Sequence, residues 1–252
     1  MNPNLLKAIE SSMQLQDAGN KIVVGQDWTK KGVDWTSCVL TELGNALDWN
    51  SYKHWNKSGH YQQEWHPSFA LQAIVESYHL MTSAAIEKNL TAADLLAPVD
   101  SLDNYQALLN TVKSFHQQNS IEAKKSFAKQ GVKNLMRFCL VAEQEPFLLR
   151  MVVSQHLAAA ASLGFNTTQF FEAHLPKNTL TLFRLANGDK EGTYPRMWQF
   201  EGDTIDDNLV VEIITERDHS LALDSNRLTE ELGKILKSFA PEKAPKSASP
   251  GM

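Results

Sequence analysis

The sequence holds only two cysteines in 252 residues, Cys38 and Cys139, far apart and in no C-x-x-C pair. That excludes a disulfide framework and a cysteine zinc site, both of which need paired or clustered thiols. No apolar run reaches about 18 residues, the length a membrane-spanning helix needs, so no membrane partner is expected. The first twenty residues mix Asn, Gln, Glu and Asp and do not read as a secretory signal. The expected location is therefore cytoplasmic. An excess of positive charge is also missing: 24 Lys+Arg stand against 29 Asp+Glu, a formal charge of -5. A nucleic-acid binder usually carries a basic face, so nucleic acid is not an expected partner, and only a local basic pocket fits.

Glycine and proline are sparse, at 12 and 9, and few breaks interrupt apolar residues that recur at helical spacing. Leu5, Leu6, Ile9, Met13 and Leu15 mark a helix over residues 4–20. Val39, Leu40, Leu43 and Leu47 mark another from Asp34 to about Ser51. Leu71, Ile74, Val75, Tyr78 and Met81 mark a third from Pro67 to Lys88, where the proline suits a first turn. Thr91, Ser101, Ser120 and Asn166-Thr167-Thr168 read as helix starts, and Gly164 and Asn187-Gly188 as stops. Two further helices are expected at about 206–216 and 225–239. The run Leu209–Ile214 is rich in β-branched residues and has a strand alternative, but is read as helical. From Ala240 the chain reads APEKAPKSASPGM, a composition expected to be disordered. The expected fold is all-α, a helical bundle in one domain over residues 1–239 with a tail over 240–252.

Two helix faces carry the chemistry. Trp35, Cys38, Glu42, Asn45, Trp49 and Tyr52 form one stripe; Phe69, Gln72, Glu76, His79 and Ser83 form another. If these helices pack antiparallel, Glu42 and Glu76 approach across a cleft, and facing carboxylates in a bundle hold Mg²⁺ through hard oxygen ligands. The plainer reading is solvated glutamates on amphipathic helices. Tyr52-Lys53-His54-Trp55-Asn56-Lys57 combines aromatic and cationic groups suited to a base and its phosphates. A core anchor flanked by solvated lysines is the alternative. Lys177, Arg184, Lys190 and Tyr194 gather around a glycine-containing turn, where arginine offers phosphate a bidentate fork. The competing reading is a helix C-terminus whose cations meet the dipole.

These segments together resemble the all-α dimeric dUTPase family, within the wider MazG-like nucleotide pyrophosphatases. Leu15-Gln16 through Asn20 is similar to L-Q-x-x-L-N, with Gly19 in place of the second Leu. Glu42-Leu43-Gly44-Asn45-Ala46-Leu47-Asp48 and Tyr52-Lys53-His54-Trp55 resemble E-x-x-E-L-(L/I)-D…W-K-(W/H)-W. Ala73-Ile74-Val75-Glu76-Ser77-Tyr78-His79-Leu80 resembles E-(I/L)-V-D-I-(W/F)-H-F. Lys177 to Tyr194 resembles K-N-x-L-N-x-F-R-Q-x-x-G-Y-K-x-G-x-Y, and Asp206-Asp207-Asn208 its E-D-N. The resemblance spans roughly residues 5–215 in one order. It implies a homodimer that hydrolyses dUTP, and commonly dUDP, to dUMP. Mg²⁺ would be held by Glu42 and Glu76 with Asn45 beside them, and phosphates by Lys53, Lys177, Arg184 and Lys190. Gln16, Asn20, Trp55, His79, Asn178 and Tyr194 would complete substrate binding.

The departures fall on the metal ligands. E-x-x-E becomes Glu42 and Asn45, and E-x-x-D becomes Ala73 and Glu76. Four carboxylates become two, and an amide oxygen cannot deprotonate water. The motif after Lys177 has Thr181, Leu185 and Asp189 where the family has Asn, Gln and Tyr. The sequence therefore carries two readings: a divergent, Mg²⁺-dependent dUTPase-like pyrophosphatase acting on dUTP or a related dNTP, and a non-catalytic relative that binds nucleotide or a protein partner.

Overall fold

Capping side chains set where most of the helices begin. The structure, a computed structural model, describes residues 3–49 and 65–239. The expectations for Tyr52–Lys57, including Lys53 and Trp55, and for the tail from Ala240 lie outside the described residues. Helix α1 spans Pro3–Val23, α2 Trp35–Trp49 and α3 Pro67–Glu87. Helix α4 spans Ala92–Leu96, and its Thr91 cap forms a reciprocal box: Asp94 N donates to Thr91 Oγ1 and Thr91 N to Asp94 Oδ2, at 3.2 and 3.0 Å. Ser101 caps α5, Leu102–His116, by accepting from Asn104 N; Ser120 caps α6, Ile121–Gln144, by accepting from Ala123 N. A 3₁₀ turn over Pro146–Met151 leads into α7, Val152–Ser162. Asn166 and Gln169 exchange hydrogen bonds ahead of α8, Thr167–Ala186.

The all-α expectation holds, with one small addition. Strands β1, Met197–Phe200, and β2, Asp203–Asp206, form an antiparallel hairpin in which Met197 pairs with Asp206 and Phe200 with Asp203. Its two-residue turn is Glu201-Gly202, both left-handed at φ 54° and 99°, the geometry that matches strand twist. Helix α9, Asp207–Arg217, follows directly, its Asp206 cap accepting from Asn208 N. The β-branched run Leu209–Ile214 is thus helical. Helix α10 spans Ser225–Phe239. Among the described residues no single helix is long and apolar enough to cross a membrane.

The chain divides into two compact units, Met1–Leu175 and Pro176–Met252. In the first, α3 is the central element, packed by α1, α2 and α7, with α6 against both α2 and α7. Ile9, Val39, Leu43, Ile74, Val75, Tyr78 and Leu135 are all essentially inaccessible to solvent. Burying each large aliphatic side chain contributes about 1.5–3 kcal/mol before entropy is counted. In the second unit Leu180, Phe183, Tyr194, Trp198, Val210, Leu228 and Leu232 form a core that joins α8, the hairpin, α9 and α10.

Candidate active site

Trp35 Nε1 donates to Glu87 Oε2 at 2.9 Å, joining the start of α2 to the end of α3. At the opposite ends the Trp49 and Phe69 rings lie 4.8 Å apart. The two helices therefore run antiparallel, as the facing of Glu42 and Glu76 requires. Their rows Glu42, Asn45, Asp48, Trp49 and Phe69, Gln72, Ala73, Glu76 line a cleft of about 300 Å³. Glu42, Asp48 and Glu76 are each half-buried. Asp48, in the sequence only the last letter of the Glu42 motif, follows Asn45 by three residues and Glu42 by six. That spacing places all three on one helical face.

Asn45, standing where the family motif has a carboxylate, donates its amide to Glu42 Oε2 at 3.2 Å. The amide thus engages the remaining glutamate. Ala73 contributes no donor, and among the described residues no three Asp, Glu, His or Cys side chains converge as metal ligands do. The oxygens that line the cleft are still of the hard kind Mg²⁺ takes. This cation is commonly held by one or two carboxylates plus waters and substrate phosphates. The donor set therefore fits Mg²⁺ arriving with a nucleotide, rather than a fully protein-built cage.

A polar seam runs between α1 and α3. Gln16 Nε2 donates to Asn20 Oδ1 at 3.1 Å, Asn20 Nδ2 to Ser83 Oγ at 2.9 Å, and Ser83 Oγ to the His79 carbonyl at 3.1 Å. Three residues named from the sequence, Gln16, Asn20 and His79, are thereby brought into one network. The His79 ring meets His174 of α8, Nε2 to Nδ1 at 2.5 Å, and His174 Nε2 meets Ser12 Oγ at 2.6 Å. Sequence reasoning missed Ser12 and His174, because neither lies in a motif. Burial, reinforced by His79 and His156, holds His174 well below the usual histidine range, so it is neutral at pH 7. Burial likewise pushes the Tyr78 hydroxyl up to about 12, with Ser12 and Thr82 countering in part.

The remaining sequence-named residues belong to the second unit. Arg184 grips Asp207 with both edges of a fork, Nε to Oδ2 at 2.8 Å and Nη2 to Oδ1 at 2.5 Å. Tyr194 OH donates to Asp207 Oδ2 at 2.7 Å. Asp207, wholly buried, thus ties the end of α8, the glycine turn and the start of α9 together. Burial, followed by the hydrogen bond and charge of Asp207, raises the Tyr194 phenol well above its ordinary range. Arg184 retains three N–H donors beyond the two used here. Asp189 pairs with Arg196 at 2.7 Å, which neutralises a charge that phosphate would oppose. Asn178 is buried, and its Nδ2 has no partner among the described residues. Lys177 is half-buried near the middle of α8, and Lys190 is exposed in the turn after it.

A family model described as dUTPase matches residues 8–188. No curated protein matches the chain.

Proposed function

Because the chain belongs to the dUTPase family, we propose that it is a divergent nucleotide pyrophosphatase that hydrolyses dUTP, or a related dNTP, to the monophosphate and pyrophosphate. The observation that carries the reading is the α2–α3 cleft, where Glu42, Asp48 and Glu76 line one space in a chain of this family. Glu42 and Glu76 would hold Mg²⁺, with Asn45 offering a neutral carbonyl oxygen once its amide leaves Glu42. When bound, Mg²⁺ supplies charge neutralisation on the phosphates and a more acidic water. Lys53, Lys177, Arg184 and Lys190 are assigned to phosphate oxygens, with Asp207 holding Arg184 in place. Gln16, Asn20, Trp55, His79, Asn178 and Tyr194 are assigned to the rest of the nucleotide, and the homodimer is carried over with the family.

A second reading, a nucleotide-binding relative without turnover, is favoured by two observations: Asn45 already donates to Glu42, and among the described residues no three His, Cys, Asp or Glu side chains converge as metal ligands do. Incubation with a panel of nucleoside triphosphates and Mg²⁺, then Mn²⁺, separates the two. Chromatography is expected to reveal a monophosphate and pyrophosphate from dUTP or a related deoxynucleotide. Nucleotide binding without any product would transfer the assignment to the second reading.

A further inference from the structure

Ser12, Gln16 and Asn20 stand at i, i+4 and i+8 on α1, and His79 and Ser83 at i and i+4 on α3, so the two ladders face each other. Ser12, Ser83 and His174 are wholly buried and Asn20 nearly so, whereas His79 is only half-buried. The rest of the His174 surroundings is aromatic: the Tyr78, Phe170 and Phe171 ring centroids lie 5.0, 6.4 and 6.2 Å from its own. A neutral imidazole in such a place must spend one nitrogen as donor and the other as acceptor. Its two partners are Ser12 and His79 and, by geometry, it bridges them.

We propose that Ser12 and His174 are positioning residues for His79: they fix the plane of its ring and which of its nitrogens carries the proton when the nucleotide binds. The inference rests on the dUTPase reading, in which His79 contacts the nucleotide. With both imidazoles neutral, the chain Ser12 Oγ, His174 Nε2/Nδ1, His79 Nε2 has two proton arrangements. When Ser12 donates to His174, His174 donates to His79, and His79 carries its own proton on Nδ1. When Ser12 accepts, every bond reverses and His79 Nδ1 becomes an acceptor. The buried serine therefore couples its hydroxyl direction to whether His79 offers a ligand a donor or an acceptor. A site built around a hydrogen bond of one sense rejects the other, because a buried polar group is then left unpaired. Ser12 and His174 act through His79.

The test pairs a spectrum with a binding measurement. In full-length protein, the side-chain ¹⁵N shifts of His79 are recorded for the wild type, Ser12→Ala and His174→Leu. Affinity for α,β-imido-dUTP with Mg²⁺ is measured on the same samples. The wild type is expected to hold His79 in one tautomer. Ser12→Ala, a mild deletion that keeps the helix, is expected to mix the tautomers and weaken binding about tenfold, the scale of one buried hydrogen bond. His174→Leu suits the aromatic surroundings and is expected to do the same or more, whereas His174→Asn, whose amide nitrogen can replace Nδ1, is expected to recover part of the affinity. Unchanged His79 shifts in Ser12→Ala, or mixed tautomers with unchanged affinity, would overturn the proposal. Failure of the wild type to bind the analogue would overturn the nucleotide reading itself, a result distinct from either.

Discussion

Asn45 Nδ2 donates to Glu42 Oε2 across 3.2 Å, so the residue that departs from the family motif neutralises hydrogen-bonding capacity on the residue that keeps it. This relationship explains how the α2–α3 cleft tolerates the loss of a carboxylate. The amide provides a partner for Glu42 where a second glutamate would repel it, and it lowers the negative charge available to a cation.

Asn45→Glu is expected to tighten Mg²⁺ in the presence of nucleotide. A unit charge at about 4 Å is worth about 4 kcal/mol at an effective dielectric of 20. Asn45 is exposed, and screening reduces the gain to about 1.4 kcal/mol, or tenfold. Calorimetric titration of Mg²⁺ into protein with α,β-imido-dUTP measures it. An unchanged affinity would mean that position 45 does not face the metal.

The Arg184–Asp207–Tyr194 triad is expected to dominate the stability of the second unit. Asp207 is wholly buried and the Arg184 side chain is 13% exposed, so removing the acceptor charge leaves a cation with little water. Asp207→Asn is expected to cost about 3 kcal/mol, the scale for breaking a buried pair. Chemical denaturation followed by Trp198 fluorescence reads it. The Arg217–Glu201 pair, 56% exposed on each side, is the control: Glu201→Gln is expected to leave the transition in place.

Acid is expected to destabilise the first unit between pH 6.5 and about 4. Burial lowers His156 from 6.5 to about 4, countered only in part by its bond to the Val152 carbonyl. Above pH 6.5 neither the folded nor the unfolded state protonates it. Below that, the unfolded chain binds a proton that the folded chain refuses, so stability falls as pH falls and the loss is complete near pH 4. The span corresponds to about 3 kcal/mol at 1.36 kcal/mol per unit, and His174 acts in the same direction. Denaturation midpoints measured across this range are expected to fall less steeply in His156→Gln, which cannot take the proton.

Gly188→Ala is expected to strain the turn after α8. Gly188 has φ +97°, and a Cβ there would fall 2.1 Å from Thr193 Oγ1. The left-handed backbone alone costs a residue with a side chain about 1–2 kcal/mol. A lowered melting temperature with the far-ultraviolet helical signal retained is the expected result.

The helices were legible because capping chemistry and 3.6-residue periodicity agree at the same positions: Thr91, Ser101 and Ser120 each accept from the backbone amide three residues on. The two stripes put Glu42 and Glu76 on faces that meet only if α2 and α3 pack antiparallel, and that orientation is seen in the Trp35–Glu87 and Trp49–Phe69 contacts. The hairpin was not, because two four-residue strands joined by Glu201-Gly202 carry too little alternation to compete with the neighbouring helical patterns. Asp48 was legible only as a motif letter, although it shares the Glu42 face. Ser12 and His174 lie 162 residues apart, and their contact exists only once α1, α3 and α8 are packed. The internal engagement of Arg184 was equally hidden, since its partner Asp207 lies 23 residues on.

The proposed metal-dependent nucleotide hydrolysis rests on Glu42 and Glu76 despite the two lost carboxylates. Its most direct measurement is product formation from dUTP with excess Mg²⁺, compared among the wild type, Glu42→Gln and Glu76→Gln. The wild type is expected to release dUMP and pyrophosphate, dependent on the metal, and each variant to lose at least about a hundredfold, the scale of a removed catalytic electrostatic contact. Turnover that survives both substitutions unchanged, or no product from dUTP and related deoxynucleotides, would contradict it.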